Sequence, residues 1–275
     1  GLSYVIDVFR DDAAVQRNPL KLALYISFFP QLVAGPIVRY TTVAGEIDER
    51  HESVSEFSAG AVRFLFGLAK KMLLANAVAQ IADAAFSAVS PSVALAWLGA
   101  VAYTFQIYFD FSAYSDMAIG LGRMFGFHFL ENFNYPYVSR SVTEFWRRWH
   151  ISLSTWFRNY LYIPLGGNRK GSARTFLNLF IVWALTGLWH GASWNFVLWG
   201  LYYFVLLMLD RLFWQKLLDK LPKAVSAILS HITLPLAVLF GWVLFKFTSL
   251  PLAAAVVRGM FCGNGNAFTS FTVTA

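Results

Sequence analysis

The sequence predicts an all-α, polytopic membrane protein, on three observations. The 275 residues are 57% hydrophobic and 18% aromatic, with 13% charged, about half the charged share of soluble domains. Several stretches carry no charge over the length a bilayer requires, most clearly Thr175 to Leu209, which lacks Asp, Glu, Lys and Arg. The formal net charge of +7 is concentrated in two polar segments. That is the pattern of cytoplasmic loops facing anionic lipid, so nucleic acid is not needed to explain it. The single cysteine, Cys262, excludes an internal disulfide framework and a multi-thiolate metal site within one chain.

The elements follow in order. Gly1 to Arg10 lacks the basic start and apolar core of a signal peptide. Leu20 to Val38 is apolar but broken by Pro30, Gly35 and Pro36, which predicts a re-entrant or tilted segment with its freed backbone groups buried in protein. Thr41 to Glu56 reads as a polar loop. Phe57 to Val89 is helical in pattern and interrupted by Lys70-Lys71, which are expected at an interface. Ser90-Pro91-Ser92 reads as a turn. Val93 to Gly122 is a long apolar helix whose only charges are Asp110 and Asp116, expected to pair with Arg123 or with another helix.

From Arg123 to Arg174 the character changes. Arg123, Arg140, Arg147, Arg148, Arg158, Arg169, Lys170 and Arg174 face only Glu131 and Glu144, so 123–174 reads as a basic cytoplasmic or interfacial segment. Ser141 to Tyr160 reads as one aromatic helix at the membrane surface, opened by a capping box of Ser141 and Glu144. The 175–210 segment reads as a helical hairpin: Phe176 to Trp189, a turn at Gly191, then Trp194 to Leu209. The first arm reaches only some 20 Å at about 1.5 Å per residue, which leaves His190 within the membrane. Ala224 to Phe247 is a further pass. The charges place Lys70-Lys71, 123–174 and 210–223 on the cytoplasmic side, and the 90–92 turn, the 190–193 turn and the far C-terminus on the other.

Two histidines carry the chemistry. His190 lies in Thr186-Gly-Leu-Trp-His-Gly-Ala-Ser-Trp194 and His150 in Phe145-Trp-Arg-Arg-Trp-His-Ile-Ser152. Histidine exchanges a proton near neutral pH. In an apolar tunnel the neutral imidazole is a good general base, able to take the proton of a hydroxyl that attacks an acyl carbonyl. His190 suits that role; His150 would orient the donor or polarise its carbonyl. Asn195, Ser193 and the Trp189 and Trp194 indoles are nearby polar donors. Arg147, Arg148, Arg158, Arg169 and Lys170 could hold phosphates of a coenzyme A thioester. Plainer readings stand beside these: hydrogen-bonded structural histidines, and arginines that only anchor the cytoplasmic side. Two other functions also fit: haem ligation, disfavoured by the different depths expected for the two histidines, and transport, suggested by the intramembrane aspartates and broken segments. G-x-S-x-G, Walker-type and H-E-x-x-H patterns are missing, and no metal site is expected.

Phe29-Pro-Gln-Leu-Val-Ala-Gly-Pro-Ile-Val-Arg39, Tyr108-Phe-Asp-Phe-Ser-Ala-Tyr-Ser-Asp-Met-Ala-Ile-Gly120, Asn132-Phe-Asn-Tyr-Pro-Tyr137, Phe145-Trp-Arg-Arg-Trp-His-Ile-Ser-Leu-Ser-Thr-Trp-Phe-Arg158 and Leu185-Thr-Gly-Leu-Trp-His-Gly191, in that order and spacing, resemble the membrane-bound O-acyltransferase (MBOAT) family. The similarity covers nearly the whole chain and is densest from Tyr103 to Trp199. Tyr160-Leu-Tyr-Ile-Pro-Leu-Gly-Gly-Asn-Arg169 is similar to the bacterial alginate O-acetyltransferase branch, more than to the branch that loads D-alanine onto teichoic acid. The resemblance implies a ring of tilted and re-entrant helices around a transmembrane tunnel. It implies that His190 matches the deep catalytic histidine and His150 the second, cytoplasmic-side one. It implies acetyl transfer from a cytoplasmic donor, acetyl-CoA, with no bound cofactor. A periplasmic acetyltransferase partner would then acetylate alginate or another exopolysaccharide outside the bacterial inner membrane. Asn159 stands where the motif has Asp. Family members are longer, so 1–275 is expected to be one MBOAT core from a larger chain, without its N- and C-terminal helices.

Overall fold

The computed structural model describes residues 1–32, 35–88 and 91–262. Ser90 of the expected turn and the far C-terminal tail therefore lie outside the described residues. Among those described, the regular structure is helical throughout, without strands. Among the described residues, four segments are long and apolar enough to cross a membrane: Val54–Ser87, Val93–Met124, Trp194–Leu218 and Lys223–Lys246.

The first of these is α4 (Val54–Ala69) and α5 (Asn76–Ser87), joined by a π-helical turn at Lys70–Ala75. Lys70 and Lys71 do not break the helix, and they are not at its end. They face α6 (Val93–Met124), where Asp116 accepts Lys70 and Asp110 lies 2.6 Å from Lys71. Arg63, two turns earlier on the same face, donates through Nε to Asp116 at 2.9 Å and through Nη1 to Glu131 at 3.0 Å. Arg123 pairs with Glu56 at 2.6 Å and not with either aspartate. Cations in an apolar helix are tolerated where carboxylates meet them, and here α6 supplies most of those carboxylates. The same helices approach closely through small residues. A Cβ on Gly60 would lie 2.6 Å from the Gly120 carbonyl oxygen, and one on Gly67 would lie 2.8 Å from that of Ala113. Small residues let apolar helices pack backbone to backbone where lipid offers no hydrophobic drive.

The N-terminal part is built from short helices: α1 (Leu2–Phe9), α2 (Pro19–Ser27) and α3 (Tyr40–Glu49). Asn18 caps α2, accepting from the Leu20 amide at 2.9 Å. Beyond α2 the chain makes a single 3₁₀ turn at Phe29–Gln31, and Ile37 to Arg39 continues without regular structure. The expected loop at 41–56 is α3 over most of its length. Its anchor is tertiary. Tyr40 meets Tyr4 and Tyr25 edge to face, at 4.9 and 5.2 Å between centroids, and all three rings are buried. His128, to which the sequence assigned no role, bonds Glu46 of α3 at 2.7 Å.

The second half holds the deeper core. After α7 (Val142–Arg148) and α8 (Ile151–Phe157) come α9 (Gly171–His190) and α10 (Trp194–Leu209), which pack on each other. Gly187 and Gly200 sit in their contact. Added Cβ atoms would meet the carbonyl oxygens of Phe196 and Trp183 at 2.4 and 2.3 Å. The first arm starts at Gly171, so it is about 30 Å long rather than 20 Å. A π turn at Asp210–Trp214 leads into α11 (Gln215–Leu218), then α12 (Lys223–Lys246) and α13 (Leu250–Cys262). The Trp97 indole of α6 donates to the Met260 carbonyl of α13 at 2.8 Å. Phe145, Trp149, Trp183, Trp199, Tyr203 and Trp242 form the main buried cluster where α7, α9, α10 and α12 converge.

Candidate active site

The site begins with a broken helix. The expected helix from Ser141 to Tyr160 is two short ones, with Trp149 extended and His150 left-handed (φ 46°, ψ 56°) between them. Ser141 caps α7 as predicted, accepting from the Glu144 amide at 3.0 Å. Glu144 reaches back to the amide of Arg140, not of Ser141, at 2.9 Å. The cause of the break lies upstream. The segment at Asn132–Asn134 runs beside it, with the Asn134 amide donating to the Arg148 carbonyl and the Ile151 amide to the Asn132 carbonyl, each at 2.9 Å. These bonds replace helical ones at the kink, so the backbone polar groups stay satisfied. Histidine takes up the left-handed region more readily than most non-glycine residues, and such outliers collect at functional sites.

Asn132, fully buried, holds the histidine from the side. Its Oδ1 lies 3.1 Å from His150 Nδ1 and accepts from the Ser152 amide at 3.1 Å and the Ser152 hydroxyl at 2.9 Å. Its Nδ2 donates to Ser115 of α6 at 3.0 Å. The face of the imidazole is covered by Phe111, edge to face at 4.7 Å.

His190 is the last residue of α9. Aromatic rings surround it: Trp199 and Phe245 meet it edge to face at 5.0 and 5.1 Å, and Trp189 at 4.9 Å. Among the described residues, no charged side chain hydrogen-bonds either imidazole.

Both histidines line one cavity of about 630 Å³, within the ordinary size of small-molecule sites. The Trp189 ring bridges them on this shared wall, 6.3 Å from His150 and 4.9 Å from His190. The rest of the wall comes from Gln31, Gly35 and Ile37 and from α6, α7, α8, α10 and α12. Two smaller cavities abut it. One of about 440 Å³ shares Gln31, Ile37, Leu153 and Trp189 with it. The other, of about 370 Å³, shares Trp146 and Leu153. Leu153 of α8 belongs to all three walls.

The polar residues expected to hold a donor separate here. Arg147 and Arg158 line the 370 Å³ cavity, joined by Arg211, which the sequence reading did not single out. Arg148 is committed elsewhere, paired with Glu144 at 2.8 Å and donating to the Asn134 carbonyl at 3.2 Å. Arg169 and Lys170 are exposed in the turn before α9. Asn195 does not face the histidine cavity. It is fully buried, and its Nδ2 donates to the Phe245 carbonyl at 3.3 Å, tying α10 to α12. Trp194 is 73% exposed and Ser193 is no part of the cavity wall; Trp189, as expected, lines it, together with Trp146, Trp149, Trp199 and Trp242. Asp110 and Lys246 are its charged groups. Among the described residues, no three His, Cys, Asp or Glu side chains converge as metal ligands.

Comparison with known proteins agrees with this architecture. The profile of the MBOAT, membrane-bound O-acyltransferase family, matches residues 9–250. The chain is 47% identical, over 94% of its length and 53% of the relative's, to a probable alginate O-acetylase of Pseudomonas putida. It is 40% identical to the peptidoglycan O-acetyltransferase of Helicobacter pylori, over 90% of this chain and 47% of that protein. It is 29% identical to the teichoic acid D-alanyltransferase of Bacillus subtilis, over 78% and 58%. The chain spans about half the length of the curated relatives it matches. With a family match over most of its residues and multi-pass helices to carry it, the chain belongs to the membrane-bound O-acyltransferase family.

Proposed function

We propose that the protein transfers an acetyl group from a cytoplasmic donor, acetyl-CoA, across the bacterial inner membrane, for O-acetylation of alginate or a related exopolysaccharide with a periplasmic acetyltransferase as partner. The observation that carries this reading is the pair of imidazoles, without charged hydrogen-bond partners among the described residues, on the wall of one cavity. The alginate O-acetylase and peptidoglycan O-acetyltransferase relatives support an acetyl group and a glycan acceptor.

In the reaction, the acceptor hydroxyl oxygen attacks the thioester carbonyl carbon while the His190 imidazole takes its proton. The tetrahedral species collapses, the carbon–sulfur bond breaks, and the leaving thiolate takes the proton back from the imidazolium. The aromatic wall excludes water that would otherwise hydrolyse the donor. His150 orients the acyl donor. Arg147, Arg158 and Arg211, in the adjoining cavity, suit the donor's phosphates.

The test uses the intact protein in cells and in proteoliposomes. His190→Ala is expected to lower acetyl transfer at least about 100-fold, the lower range for a lost acid–base group, with membrane insertion unchanged. His150→Ala is expected to impair it as well. The readouts are mass spectrometry of the exopolysaccharide and label transfer from radioactive acetyl-CoA. Wild-type turnover in His190→Ala removes the assignment.

A further inference from the structure

We infer that Asn132 fixes the tautomer of His150, with the proton on Nδ1 and the lone pair on Nε2, so that His150 meets its substrate as a hydrogen-bond acceptor or base. The inference rests on the reading of His150 as a site residue for its consequence, but not for its geometry.

The orientation of one amide decides the tautomer. The Ser152 backbone N–H can only donate, and it points at one terminal atom of the Asn132 side chain, 3.1 Å away. That atom must therefore be the oxygen, Oδ1. The other terminal atom, Nδ2, donates to the Ser115 hydroxyl at 3.0 Å, which fits the same orientation. An amide oxygen only accepts, so the His150 nitrogen 3.1 Å from it must carry a proton. In the neutral ring the remaining nitrogen, Nε2, then holds the lone pair. Ser152 cannot reverse this: its hydroxyl already donates to the same Oδ1 at 2.9 Å. The backbone adds a second constraint. The Ile151 amide bonds the Asn132 carbonyl at 2.9 Å, so the residue that orients the ring also holds the kink on which the ring is mounted.

The consequence narrows the chemistry. A neutral His150 of this tautomer cannot polarise a donor carbonyl through Nε2, because it has no proton there. It accepts instead, from a substrate N–H or O–H. Asn132 is thus a positioning residue, acting only through His150.

The experiment reads the tautomer directly. The intact protein is labelled with ¹⁵N-histidine, and the His150 signals are assigned by difference from His150→Ala. The expected pattern is a protonated Nδ1 and a bare Nε2 in the wild type. Asn132→Ala is expected to lose that preference and at least about 10-fold in acetyl transfer, since a wrongly protonated imidazole is a poor catalyst. Asn132→Asp keeps the acceptor and should restore the Nδ1 proton and much of the activity. Its carboxylate also favours the imidazolium, so the acidic limb of the pH–rate profile should move to higher pH. His190 on α9, Asp110 on α6 and Lys246 on α12 share the cavity with this ring; they are identical in all variants, so the shift reads position 132. A protonated Nε2 in the wild type overturns the inference without any variant having to fold. So does Asn132→Ala with an unchanged tautomer. Full transfer by His150→Ala would instead sink the functional reading of that ring, while the ¹⁵N signals still decide what Asn132 does.

Discussion

His150 shows how a single residue can be legible in one respect and opaque in another. Its identity stands out in sequence because an imidazole beside a tryptophan, in an aromatic segment next to charge-free helices, calls for a purpose. Its backbone conformation does not. Nothing in Trp149-His-Ile151 contains the glycine or proline that usually marks a kink. The break is set by Asn132, which is 18 residues away in sequence and holds both the ring and the turn. The left-handed backbone makes a separable prediction. Neither glycine nor alanine at 150 keeps the imidazole, but only glycine adopts φ 46° freely. His150→Gly should therefore be more stable than His150→Ala by about 1 kcal/mol, seen as a higher Tm in detergent. Equal melting temperatures would mean that the turn carries no strain.

At the level of elements, periodicity and charge found the long helices to within a few residues, because a bilayer-length apolar run has few alternatives. The expected 93–122 is Val93–Met124, and 224–247 is Lys223–Lys246. The short helices were harder. Thr41 to Glu56 looks polar, and α3 forms because Tyr40 joins Tyr4 and Tyr25 from two other helices, which no local window contains. Lys70-Lys71 looks like an interruption until the carboxylates of α6 are placed opposite. The α9–α10 contact offers a matched pair of substitutions. Gly187→Ala would put a Cβ 2.4 Å from a carbonyl oxygen, so it should destabilise by about 1–3 kcal/mol. Gly45→Ala, in the middle of α3 with nothing within 4 Å, should stabilise by about 0.5–1 kcal/mol. Thermal unfolding of the two proteins checks both signs. If Gly187→Ala melts with the wild type, the helices are not in backbone contact there.

For the whole molecule, the cavity shared by the two histidines is what the sequence could not draw. Its wall combines residues from Gln31 to Lys246, and only the order of family motifs hinted that they converge. The arrangement of three cavities around Leu153 yields a prediction at this scale. Leu153→Trp adds bulk to every wall at once. Acetyl transfer should fall at least about 10-fold, as expected when reacting groups lose their alignment, with insertion and the ¹⁵N signature of His150 retained. Unimpaired transfer would show that no reactant passes that junction.

The ion pairs between the first two long segments have a consequence for how the chain enters lipid. Val54–Ser87 holds Arg63, Lys70 and Lys71 against Glu56 and Asp83; Val93–Met124 holds Asp110 and Asp116 against Arg123. Singly, one is left with surplus positive charge and the other with surplus negative. Side by side they sum to zero, with Arg63, Lys70, Lys71 and Arg123 each touching an acid of the partner segment. A lone charge at the centre of a bilayer costs about 2.5–3.5 kcal/mol on translocon scales, so each segment is a poor passenger alone. Leaving the translocon together, as one electrically balanced hairpin, is the cheaper route into the bilayer.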